Sequence, residues 1–311
     1  MAITNYKSRH HQSGERLTER TNPAAASLDT QPTQGILRII NREDHRVAPA
    51  VRKTLPQIAR AVDLAVAAIR NGGRLVYLGA GTSGRLGVLD AAECAPTFGT
   101  DRVVAVMAGA PASLGRSMED VEDNPRQSVR DLGRISFTAC DLLVGISASG
   151  RAPYVLGAVR FARRHHAKVV ALTCNPQSPL AALADVAICP VVGPEVIAGS
   201  SRMKAGTAEK LVLNMLSTAT MVRLGRVLSN RMISVQVANQ KLWKRAEGIL
   251  TKFAGTSQGQ AAKALKDSRG NLPVALLMLL KKISRSEAAR QLQQGPSVAE
   301  VLRAAMEKVN H

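Results

Sequence analysis

The chain has 311 residues, 45% hydrophobic and 21% charged, enough for one large or two modest domains with a real core. No apolar run approaches the ~20 residues of a membrane span, and the polar start "MAITNYKSRHHQSGER" lacks a signal-peptide core, so a cytoplasmic protein is expected. A formal net charge of +19 favours phosphate-bearing partners, but with 3% aromatics and scattered arginines a nucleic-acid partner is not expected and a small phosphorylated ligand is.

Residues 1–16 read as a disordered, basic tail. A helical entry follows, with Asn22-Pro23 as a turn and Ile36, Ile39 and Ile40 at helical spacing. Residues 47–71 read as a long helix, with Pro56 at a kink or boundary. Five apolar runs come next: "GRLVYLGA" (73–80), "RVVAVMAG" (102–109), "DLLVGISAS" (141–149), "AKVVALTCN" (167–175) and "DVAICPVV" (185–192). Each suits a buried parallel strand, and helix-like segments separate most of them. The predicted fold is α/β: a doubly wound, mainly parallel five-stranded sheet flanked by helices. From about residue 202 the chain reads as wholly helical, ending in a small three-helix appendage over 246–311. The expected division is therefore 1–16 tail, 17–245 sheet domain and 246–311 C-terminal domain.

Cys94, Cys140, Cys174 and Cys189 form no CxxC or Cys/His pattern, so buried thiols and no metal site are expected.

Chemistry concentrates where strands end. In "GAGTSG", Gly79, Gly81, Thr82, Ser83 and Gly84 lie between a strand and a helix, where free backbone N–H groups attract anions. The stretch has no GK[ST], so it is not a Walker loop, and its hydroxyls point away from a dinucleotide fingerprint despite the GxGxxG spacing. "SASGRAP" places Ser147, Ser149, Gly150 and Arg151 after another strand. Either turn alone is as well explained by ordinary N-caps, each contributing about 1 kcal/mol. The two together favour a phosphosugar site. "GSSRMKAGTAEK" adds Ser200, Ser201, Arg202, Lys204, Thr207 and Lys210 before a long apolar helix. Such a cluster is usually a solvated helix start, yet it fits a phosphate or sugar-hydroxyl clamp at a third helix N-terminus.

These loops resemble those of the sugar isomerase (SIS) domain family. The strings "LTERTNP…SLD", "GAGTSGRLGVLDAAECAPTFG", "GISASGRAPYV" and "EVIAGSSRMKAGTAEKLVLNMLSTATM" are similar, within it, to the N-acetylmuramic acid 6-phosphate etherase family over roughly residues 17–311. The resemblance implies a carbon–oxygen lyase that cleaves the D-lactyl ether of N-acetylmuramic acid 6-phosphate in peptidoglycan recycling. It implies elimination followed by hydration, a homodimer with sites near the subunit interface, no metal or organic cofactor, and a ubiquitin-associated-like C-terminal bundle. It implies phosphate or sugar contacts from Gly81, Thr82, Ser83, Ser147, Ser149, Gly150, Arg151, Ser200, Ser201 and Lys204. The two family carboxylates fall on Glu93 and Glu122: Glu93 as the acid that protonates the departing lactate oxygen, Glu122 as its partner for the other proton or the water. Ala91, Ala92, Cys94 and Ala95 around Glu93 suggest an apolar setting that favours its protonated form.

The distance along the helix is awkward for this assignment. If residues 84–93 form one helix, Glu93 lies about 14 Å from its start, so either the helix breaks or the second subunit completes the pocket. The sequence also departs from the family pattern at "EDVEDN", at "ECAPT", and at Ser234 and Ala238 near the C-terminal region. Two other classes stay open: a catalytically silent SIS sugar-phosphate sensor, which needs neither carboxylate, and a phosphosugar isomerase. For the isomerase, His165 and His166 in "RRHHAK" look like surface residues rather than a base.

Overall fold

A computed structural model describes residues 17–116, 118, 120–234 and 240–307; the tail expected over 1–16 and Ala238 lie outside these. The entry is helical: α1 spans Thr33–Asp44, α2 Val47–Arg52 and α3 Leu55–Arg70. Pro56 sits in the first turn of α3, where its missing N–H costs nothing, so it marks a boundary between two helices rather than a kink in one.

The five apolar runs form β1 (Leu75–Gly79), β2 (Val103–Met107), β3 (Leu142–Ile146), β4 (Lys168–Leu172) and β5 (Val186–Ile188). Every pairing in this sheet is parallel, and the order is β2-β1-β3-β4-β5. The helices α4 (Gly81–Phe98), α5 (Pro125–Arg134), α6 (Pro153–Arg164) and α7 (Pro179–Leu183) connect the strands, and α8 (Lys204–Arg223) follows β5.

The period of two along each strand decides which layer a residue serves. Leu75, Tyr77, Val144 and Leu172 join Val62, Val66, Val212 and Leu216 in a core beneath α2, α3 and α8. Val76, Leu78, Leu143 and Val169 join Leu132, Val155, Val159 and Leu180 in a second core beneath α5, α6 and α7. A sheet covered on both faces has no polar face, which is why its strands read as unbroken apolar runs.

The region after α8 differs from the expectation. It is not wholly helical: β6 (Val227–Leu228) and β7 (Arg231–Met232) form an antiparallel hairpin, with Ser229 at φ 53° in its turn. Strands this short carry no periodic signal. Nor is the appendage three helices. It contains α9 (Gln240–Ala254), α10 (Gln258–Asp267), α11 (Leu272–Lys281), α12 (Arg285–Gln294) and α13 (Val298–Glu307). Caps at Ser257, Asn271 and Ser284 start α10, α11 and α12 as separate short helices. The expected junction at 245/246 falls inside α9, and the C-terminal core already includes Leu228 and Ile233.

Candidate active site

Neighbouring strands β1 and β3 bring their C-terminal turns side by side, where an open α/β sheet offers a ligand crevice. A cavity of about 440 Å³ lies there, lined by Gly81, Thr82 and Ser83 after β1 and by Ser147, Ser149 and Arg151 after β3. Gly199 and Ser201 close another side, and Glu122 and Asp123 reach the same space from the 3₁₀ turn Val121–Asp123.

Two glycines make this approach possible. A Cβ at Gly84 would lie 2.7 Å from the carbonyl oxygen of Gly79, so only glycine lets the first turn of α4 press against the end of β1. Gly150, at φ 67°, turns the β3 loop, and a Cβ there would collide with the side chain of Ser178. Its N–H donates to the backbone oxygen of Ser147 at 2.9 Å. Gly150 therefore shapes the loop without lining the cavity. The "TCNPQSP" turn after β4 supplies Ser178, which caps α7 and braces Gly150.

Two side chains at the start of α4 anchor the first hydroxyl turn. Ser83, buried, donates its hydroxyl to Glu209 Oε1 of α8 at 2.9 Å. Arg85 donates to the carbonyl oxygens of Ser113, Leu114 and Arg116, fixing the chain that leads toward Glu122.

The third loop contributes less than its composition implied. Lys204 does not reach the cavity: it is fully buried and its ammonium donates to Glu43 Oε2 at 2.6 Å. The amides of Lys204 and Ala205 donate to Glu195 at 3.0 and 2.9 Å. The N-terminus of α8 is thus already occupied by a carboxylate of this chain, and a phosphate cannot use those donors. Ser200 is also absent from the lining, whereas Ser201 is present.

Glu93 is displaced from the rest. The helix does not break: α4 runs continuously to Phe98 despite Pro96, so Glu93 sits about 18 Å along it from Gly81. It does not line the cavity, and its side chain is exposed in the single chain, contrary to the apolar setting its neighbours suggested. Adjacent Cys94 instead faces inward, and burial pushes its thiol up to about 12. A larger cleft of about 690 Å³ lies at the far end of α4, beside Gly99 and Ser234. Among the described residues its lining includes Arg226 and Arg269 but no carboxylate or histidine. Ser234 belongs to that cleft and not to the one at the hydroxyl turns.

The sequence reading missed Thr18 and Glu19, which line the cavity from the N-terminal segment. The Thr18 carbonyl accepts from Gly199 N–H at 3.0 Å, and Asn22 Nδ2 donates to Pro194 O at 3.1 Å and to Glu43 Oε2 at 2.8 Å. Asp123 was missed too, although it stands beside Glu122 in the sequence. No local pattern marks Thr18 or Glu19, because they arrive through pairings some 180 residues away in the chain.

Among the described residues no group of His, Cys, Asp and Glu is placed to hold a metal ion, and no helix is long and apolar enough to cross a membrane.

A parallel sheet of this order, with serine- and glycine-rich turns meeting at adjacent strand ends, defines a SIS-domain protein. Residues 130–219 match the SIS domain family, residues 57–163 the N-terminal SIS domain of glucokinase regulatory protein, and residues 229–269 the C-terminal lid domain of that protein. The chain is 50% identical over 280 residues to an N-acetylmuramic acid 6-phosphate etherase of Edwardsiella ictaluri, covering 89% of this chain and 93% of that one. It is 50% identical over 283 residues to one of Yersinia pestis, covering 90% and 96%. The chain belongs to the N-acetylmuramic acid 6-phosphate etherase family. Among solved structures, a phosphoheptose isomerase from Neisseria gonorrhoeae superposes with a TM-score of 0.47 at 23% identity, over 61% of this chain and 98% of that one.

Proposed function

We propose that the chain cleaves the D-lactyl ether of N-acetylmuramic acid 6-phosphate, giving N-acetylglucosamine 6-phosphate and D-lactate in the recycling of cell-wall amino sugars in the cytoplasm. The observation that carries this reading is the convergence of two hydroxyl turns, Arg151 and the carboxylate Glu122 on one cavity. The 6-phosphate sits against the first turn of α4, among Thr82, Ser83, Ser147 and Ser149, with Arg151 as the cation.

The elimination needs two proton transfers at the sugar. A base removes the C2 proton beside the C1 carbonyl of the open-chain form, and the electron pair expels the ether oxygen from C3. An acid protonates that oxygen as D-lactate leaves. Water then adds at C3 of the unsaturated aldehyde, returning a hydroxyl to C3 and a proton to C2. Glu122 serves the C2 proton or the water, and Glu93 protonates the leaving oxygen. Glu93 comes from the second copy of a homodimer. An extended helix places it about 18 Å from the phosphate turn of its own chain, farther than one sugar phosphate spans. In this reading the sheet and hydroxyl turns form a catalytic domain and the C-terminal helices a separate unit.

The test is D-lactate release from N-acetylmuramic acid 6-phosphate by the purified protein beside E122Q. Release by the wild type and its loss in a folded E122Q support the reading. A folded wild type that binds the sugar phosphate yet releases no lactate overturns it in favour of a sensor.

A further inference from the structure

Directly behind the phosphate turn lies a carboxyl group that the proposed reaction does not use. Glu209, on α8, is 1% exposed. Its Oε1 accepts from the Ser83 hydroxyl at 2.9 Å, and its Oε2 is buried with no hydrogen-bond partner. One turn earlier on the same helix, the position of Gly206 lies against the side chain of Thr82, so α8 backs the first turn of α4 at Thr82 and Ser83. A buried carboxylate with one hydrogen bond and no cation is costly, whereas the protonated acid is tolerable.

We propose that Glu209 is a positioning residue of the phosphate site that works in its neutral form, donating its proton to Ser83 Oγ so that the Ser83 hydroxyl is free to donate to the phosphate. The inference rests on the reading of this cavity as a sugar-phosphate site. The hydroxyl has one proton. While Glu209 is ionised, that proton points at Oε1 and the phosphate meets only a lone pair. Once Glu209 is protonated, the 2.9 Å contact reverses direction without moving a heavy atom and the Ser83 proton turns outward. The ionised form is wrong in a second way, because its charge offsets the positive field that the start of α4 offers an anion.

The surroundings leave Glu209 uncompensated. Burial pushes its carboxyl up to about 8, against the opposing hydrogen bond from Ser83. On its own helix, Lys204 is committed to Glu43, and Lys210 to Asp90 and Asn214. On α4, Arg85 is turned to the carbonyls of Ser113, Leu114 and Arg116, Asp90 is held by Lys210 and Tyr77, and Glu93 is exposed. On α3, Asp63 pairs with Arg223 at the surface, and on α2 Arg52 is exposed. Glu195 is taken up by the amides that start α8. The titratable neighbour that feels Glu209 is Cys174, after β4, whose buried thiol lies well above its ordinary value and stays neutral across the range concerned.

The experiment is calorimetric binding of N-acetylglucosamine 6-phosphate from pH 7 to 9.5, for wild type and E209Q, in two buffers of different ionisation enthalpy. The expected wild-type Kd rises about tenfold per pH unit above the titration of Glu209, with proton uptake on binding near pH 8.5. In E209Q the neutral amide reproduces the protonated acid, so Kd stays level and the uptake is lost. A merely structural Glu209 moves neither quantity. A flat wild-type profile without proton uptake overturns the proposal even if E209Q fails to fold. So does a rise that persists in E209Q. Absence of binding at every pH overturns the sugar-phosphate reading and this inference with it, which separates the two failures.

Discussion

The ammonium of Lys204 and the carboxylate of Glu43 meet at 2.6 Å with both side chains fully buried, joining the start of α8 to α1. Asn22 donates to the same oxygen of Glu43, so this pair also ties down the segment that carries Thr18 and Glu19 to the cavity. Removing one partner strands the other charge in the interior. K204M is expected to lower stability by about 3–5 kcal/mol in urea unfolding, and E43Q/K204M to recover most of that loss.

The pair also sets an acid dependence. Burial alone would raise the Glu43 carboxyl, but the hydrogen bonds from Lys204 and Asn22 and the charges of Lys204 and Arg46 hold it below its ordinary value. A carboxyl lowered by folding stabilises above its unfolded value, about 4.3, and that contribution is lost as pH falls through the folded value. The deficit of K204M is therefore largest at neutral pH and shrinks below about pH 4. A deficit that is the same at pH 3.5 and pH 7 would exclude an ionised Glu43.

The proposed sharing of one site between two subunits makes a sharper prediction for Glu93 and Glu122. Each of E93Q and E122Q is expected to lose about 10²–10⁴-fold in kcat, as loss of a general acid or base does. Mixed in equal amounts and allowed to exchange subunits, they should recover about a quarter of wild-type lactate release. Half the dimers then carry both variants, and one of their two sites holds both native glutamates. If a single chain supplied both residues, mixing would restore nothing.

Arg151 is the exposed residue of a mostly buried turn and lines the cavity, which suits it to binding. R151M is expected to raise KM for the sugar phosphate by about 10–100-fold, the loss of one charged hydrogen bond, with a smaller effect on kcat. Steady-state kinetics at two ionic strengths checks this, because the wild-type KM should rise with salt and that of the variant should respond less.

Gly150 tests the loop itself. An alanine at φ 67° is strained by about 1–3 kcal/mol, and its methyl meets Ser178 besides. G150A is expected to lower the thermal midpoint and weaken sugar-phosphate binding together; unchanged binding in a destabilised variant would detach this turn from the site.

The sequence by itself determined the parallel sheet and the position of its hydroxyl turns. Continuous apolar runs such as "GRLVYLGA" arise only where both faces of a strand are covered, and glycines such as Gly84 and Gly150 mark backbone that no other residue can occupy. Those constraints are local and therefore legible. The resemblance supplied Glu93 and Glu122, which periodicity alone leaves as ordinary exposed glutamates. Tertiary structure decided what each polar residue faces. Lys204 and Ser201 stand three positions apart in one basic, hydroxyl-rich string, yet one is sealed against Glu43 and the other opens on the cavity. Thr18 and Glu19 reach the site only because Asn22 and Gly199 anchor their segment across the fold. Glu209 sits within a long apolar helix, and nothing around it in the chain distinguishes a surface acid from a buried one. Burial and partnership depend on elements distant in sequence, and they determine which of these residues carry charge and which carry function.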